Sequence, residues 1–74
     1  MKIKIVSDTT GKETELTLEW DEAQDQFTWF DQDGNDTEVS GHTVREAEKA
    51  AADSWGRGWD MFWWDEASKT WETP

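Results

Sequence analysis

Between Thr43 and Trp64 the apolar pattern changes period, and that change limits the folds open to the chain. Thr43 followed by Glu46 has the form of a capping box, in which the hydroxyl accepts the backbone N–H three residues on and the carboxylate reaches back. Val44, Ala47, Ala51 and Trp55 then recur at helical spacing with Ala50 beside them, while Arg45, Glu46, Glu48, Lys49 and Asp53 fall on the other side. The spacing predicts one helix over about 43–55. Its narrow stripe is mostly alanine, which lets it sit close to its support, and Trp55 is placed as a wedge at its far end. Gly56 is expected to end the helix with a positive φ. Beyond Gly58, Trp59, Met61 and Trp63 alternate with Asp60, Phe62 and Trp64, a strand with bulk on both faces. With four of the seven tryptophans, this stretch is expected to supply most of the large apolar surface for a core.

Composition sharpens that expectation. Leu, Ile, Val and Phe together number ten in 74 residues, and the net charge is −11, a combination that by itself argues for disorder. The seven tryptophans argue the other way. At roughly 200 Å² per ring they offer an upper bound of about 35 kcal/mol of burial at ~25 cal/mol/Å². The reading is a single small acidic α+β domain, residues 1–74, in which losing one buried Trp costs about 3–5 kcal/mol. There is no cysteine, which excludes disulfides, thiolate chemistry and Cys-based zinc sites. The apolar run in Met1–Ser7 is too short for a signal peptide, and nothing approaches membrane-spanning length, so a soluble cytoplasmic protein without membrane contact is expected.

Ahead of the helix the chain alternates with period two. Lys2 to Val6 predicts a first strand with Ile3 and Ile5 inward, and Asp8 to Lys12 a turn. Thr14, Leu16, Leu18 and Trp20 against Glu13, Glu15, Thr17 and Glu19 predict a second strand with one apolar and one acidic face. Pairing Ile5 with Leu16 and Ile3 with Leu18 sets Lys2 opposite Glu19. Phe27 to Phe30 is the third strand, Asp31 to Asn35 a turn with Gly34 at positive φ, and the residues about Thr37 and Val39 a short fourth strand. The architecture expected is an antiparallel meander of about four strands, one helix packed on it, and a Trp-rich C-terminal hairpin from Trp59–Trp64 and Lys69–Glu72, with the only proline, Pro74, after it. Whether that hairpin extends the same sheet is open from sequence.

Trp20-Asp21-Glu22-Ala23 is echoed by Trp64-Asp65-Glu66-Ala67, each followed by another Trp, at Trp29 and Trp71. One turn used twice explains the echo, and a duplicated ligand site is the alternative. Other candidate chemistry is thin. Asp31 to Glu38 has the acids of a calcium loop, but Gly34 comes two places early and no helix enters it, so a hairpin turn is the simpler reading. His42 stands alone, without cysteine partners for zinc or a nucleophile arrangement to serve, and reads as a neighbour of the helix cap. No cofactor or metal is implied, and the chain reads as a non-enzyme.

Charge is the informative pattern. Residues 1–12 carry a net +2 and residues 39–74 a net −3, whereas Glu13 to Glu38 contains ten acids and no Lys or Arg. Same-face strand neighbours lie ~6.7 Å apart, so Glu13, Glu15, Glu19 and Asp21 form a self-repelling row, which Glu22, Asp25, Asp31, Asp33, Asp36 and Glu38 extend. One reading is a solvated face that serves solubility or salt adaptation. The sharper one is a nucleic-acid mimic, an inhibitor of the kind phages or mobile elements encode, that occupies the basic groove of a nucleic-acid-binding protein. Direct binding of nucleic acid is opposed by the −11 charge. The alternative from another class is a Trp-rich protein–protein or homodimer interface built from Trp59, Trp63, Trp64 and Trp71.

Overall fold

The computed structural model describes residues 1–73 and is α+β. Its elements are β1 (Lys2–Ser7), β2 (Glu13–Asp21), β3 (Gln26–Asp31), β4 (Asp36–Gly41), α1 (Val44–Trp55), β5 (Trp59–Asp65) and β6 (Thr70–Glu72). The meander is present as expected, but the sheet has six antiparallel strands in the order β4-β3-β2-β1-β5-β6. The C-terminal hairpin therefore extends the same sheet, on the free edge of β1. Pro74 lies outside the described residues.

Three of the hairpins use one turn. Loops 8–11, 22–25 and 66–69 each span four residues, and the fourth takes positive φ: Gly11 at 74°, Asp25 at 55° and Lys69 at 57°. The tight first turn settles the β1–β2 register. Ile3 lies opposite Leu16, Lys4 opposite Glu15 and Lys2 opposite Thr17, two residues from the pairing expected above. A slip of two leaves each side chain on its face, so Ile3, Ile5, Leu16 and Leu18 still point inward together.

The helix follows its capping logic. Thr43 Oγ1 accepts the Glu46 N–H at 3.1 Å, and the Glu46 carboxylate accepts the N–H of His42, one residue earlier than a standard box, at 2.9 Å. At the other end Gly56 is right-handed, with φ −79°, and it is Gly58 that takes positive φ, 77°. The expected left-handed cap is therefore displaced by two residues into the Gly-Arg-Gly bend.

Buried Ala47 and Ala51 seat α1 on one face of the sheet, over Ile3, Ile5, Leu16, Leu18, Trp29 and Met61. Five of these eight core residues precede Thr43, so the N-terminal meander, rather than the Thr43–Trp64 stretch, supplies most of the buried core. Trp29 is the only fully buried tryptophan, whereas Trp20 is 47 % exposed. Trp55, Trp59 and Trp63 are half-buried and pack against the core from its margin. The rings act less as the centre of the core than as its rim, a consequence of a two-layer domain with only one covered sheet face.

Candidate functional site

The face of the sheet away from α1 carries no second layer among the described residues, and the β2 carboxylates project from it. Alternation along β2 turns Glu13, Glu15, Thr17, Glu19 and Asp21 away from the side that buries Leu16 and Leu18. Over nine strand residues the row runs about 27 Å. Glu13, Glu15 and Glu19 are exposed. Asp21, at the strand end, is partly buried and engaged: one oxygen accepts the Ala23 N–H at 3.0 Å, the other the Gln24 side-chain amide at 2.7 Å. The same Gln24 nitrogen donates to Asp36 at 2.9 Å, and Gln26 donates to the Gln24 carbonyl at 3.2 Å. One amide thus holds together two carboxylates from distant parts of the acidic segment.

The remaining acids separate by what their oxygens do. Asp31 accepts the N–H groups of Asp33 and Asn35, both at 2.9 Å, and these bonds, Asn35 first, hold its carboxyl below the usual carboxylate range. With Gly34 at φ 83° this is a built hairpin turn, and the calcium-loop likeness has a structural explanation. Asp36 caps the bulge in β4 by accepting the Glu38 N–H at 2.6 Å, with Glu38 at φ 67°. Glu22, Asp25, Asp33 and Glu38 are exposed. No cluster of three or more acid or histidine ligands able to hold a metal occurs among the described residues.

Lysines interrupt the surface. Lys2 and Lys4 lie on the same face of β1, next to the row, and Lys4 Nζ is 3.9 Å from Glu13. That ammonium also stands 5.2 Å from the Phe62 ring centre and 5.0 Å from that of Trp71. Beyond Lys4 the face is aromatic: Trp64 and Trp71 meet edge to face at 5.1 Å, and the Trp64 indole donates to Glu66. The helix-free face therefore has an acidic half on β2 and an aromatic half on β5 and β6, with Lys2 and Lys4 between them. The single unbroken negative surface implied by sequence is not what forms.

The proposed aromatic interface also divides. Trp59 and Trp63 lie on the helix side, Trp63 edge-on to Trp29 at 6.4 Å, while Trp64 and Trp71 lie on the far side. Phe62 and Lys4 join the far group, although neither stands out as a site residue from sequence. The period-two pattern places both on that face, but their meeting depends on β5 docking beside β1, which no local signal announces.

The echoed tetrapeptide is the same hairpin used twice. Ala23 and Ala67 N–H groups bond to Asp21 and Asp65, each at 3.0 Å, and the ring partners are Trp20 with Phe27 and Trp64 with Trp71, at 5.0 and 5.1 Å. Phe27, not Trp29, is thus the first partner. The hairpins flank β1 on opposite sides, which relates them by a half-turn about it and sends their ring pairs to opposite faces. Compared with known proteins, the chain matches no family model, no curated protein and no solved structure.

Proposed function

We propose that this chain is a non-enzymatic binding module whose helix-free sheet face docks in the basic groove of a nucleic-acid-binding protein, in competition with nucleic acid. The observation that supports the reading is the β2 row: Glu13, Glu15 and Glu19 stand exposed on a central strand, and of the two lysines beside it, Lys2 and Lys4, Lys4 approaches Glu13 only to 3.9 Å. A like-charged row costs the fold stability, which makes a cationic partner its natural complement. Its ~6.7 Å spacing is about twice the axial spacing of phosphates on one strand of a duplex. The row therefore matches a groove lined with flexible Lys and Arg better than a set of individual phosphate contacts. The Trp64–Trp71 corner on the same face supplies the apolar anchor that a purely electrostatic contact lacks.

The discriminating variant combines Glu15→Lys, Glu19→Lys and Glu22→Lys, which spares Asp21 because its carboxylate holds the turn. Affinity capture from the native host at low salt is expected to recover a basic nucleic-acid-binding protein with the wild type and not with the triple variant. Added DNA or about 0.5 M salt should release it. Equal capture by both proteins, or a captured partner that DNA does not displace, defeats the proposal. The variant should unfold at a temperature no lower than the wild type, since it removes repulsion and no core contact.

A further inference from the structure

A second surface, distinct from the carboxylate row, lies on the edge of β5. The β6 strand pairs only with Trp63, Trp64 and Asp65, so Trp59 to Phe62 have a strand neighbour, β1, on one side alone. Along this edge the main-chain direction alternates. The Gly58 carbonyl accepts from Asp8 on the β1 side at 3.0 Å, so the polar groups of Asp60 and Phe62 also turn toward β1. Those of Trp59 and Met61 turn outward, and they have no backbone partner among the described residues.

These groups open beside a cleft of about 380 Å³ whose walls include Ala52, Trp55, Trp59 and Met61, with Thr73 at the point where the line of β6 would continue. The other exposed edges are blunted. On β4 a bulge at Glu38 breaks the ladder, and β6 is three residues long. Trp59–Phe62 carries no bulge or proline.

The geometry points to this edge as a peptide-binding site that takes an extended segment of a partner protein as a further strand, antiparallel to β5 and in line with β6. Pairing uses the outward N–H and C=O of Trp59 and Met61. The same register dictates the ligand's side chains. Residues opposite Trp59 and Met61 point to the helix side, into the apolar cleft. The residue between them points to the far side, beside exposed Asp60, in a protein of net charge −11. The segment recognised is therefore apolar–basic–apolar, with Lys or Arg at the middle position. This site does not depend on the acidic row, and it can stand or fall separately from it.

The test uses a capped octapeptide of alternating valine and lysine as the probe, with amide exchange and backbone NMR of the protein as the readout. The expected result is slowing of Trp59 and Met61 amide exchange by about tenfold or more at saturation. N-methylation of the valines, whose N–H groups face β5, should abolish binding, while N-methylation of the lysines should leave it. Asp60→Lys should reverse the preference between this peptide and its valine–glutamate counterpart. The inference is overturned if both N-methylated peptides bind alike, if protection falls on residues 13–21 instead, or if the Met61 amide is already protected in the free protein because the chain itself or a second copy occupies the edge.

Discussion

The indole N–H of Trp29 donates to the carbonyl oxygen of Ala47 at 2.9 Å, a bond from β3, the strand beside the β4 edge, to the first buried turn of the helix, with neither residue exposed. It joins the two layers by a directional contact where the rest of the core is non-directional, and it fixes where along β3 the helix lies. A fully buried indole must place its N–H somewhere, and the alanine stripe brings a backbone acceptor within reach.

Trp29 is accordingly the tryptophan on which stability depends. Trp29→Phe loses ring volume and the bond, and should cost about 2–4 kcal/mol by urea unfolding. Trp20→Ala, at a ring 47 % exposed whose main contact is Phe27, should cost about 1 kcal/mol. Equal losses from the two would contradict the assignment of Trp29 as the keystone of the core.

Close approach between helix and sheet makes Gly41 irreplaceable. A Cβ there would lie 2.4 Å from the Ala47 backbone nitrogen, so Gly41→Ala must push the helix start outward, at about 1–3 kcal/mol. Circular dichroism of the variant should show an earlier thermal transition with helix content largely kept.

Thr28 offers the opposite sign. It is fully buried between β2 and β4, and its hydroxyl has no hydrogen-bond partner among the described residues. Valine has nearly the same shape without the unpaired polar group. Thr28→Val should therefore gain about 1 kcal/mol in denaturant unfolding, and a loss would mean that the hydroxyl is satisfied in solution.

Acid should loosen the turns before the core. The Asp65 carboxyl is lowered by hydrogen bonds led by the Ala67 N–H, Asp31 by those led by Asn35, and Glu66 chiefly by the Lys69 side chain with help from Trp64. Each group binds its proton less readily folded than unfolded. Its contribution is therefore complete above the unfolded carboxylate range near pH 4 and is lost as pH falls through the lower folded value. The Asn35 and Ala67 amide resonances should shift together with that loss, and resonances that stay fixed down to pH 2 would exclude these bonds as the acid-sensitive contacts.

The far-face aromatic corner shows where sequence reading stops. Trp64 and Trp71 were legible as hairpin partners, since the loop between them is short. Strand alternation sets them on the opposite face from Trp59 and Trp63, against the single four-ring interface expected from sequence. Lys4 over Phe62 and Trp71 was not legible, because residues 4, 62 and 71 meet only after β5 has docked on β1.

Period is a local property, so the chain by itself determined the helix, all six strand segments, the Thr43 cap, and the faces taken by Ile3, Ile5, Leu16, Leu18 and the β2 carboxylates. Pairing is not local. The β1–β2 register, the insertion of β5 beside β1, the burial of Trp29 in preference to the other indoles, and the lysines set between acids and rings were decided by tertiary structure. A two-residue slip or a change of sheet edge leaves every residue's own pattern intact, and only the packing of whole strands against one another distinguishes the alternatives.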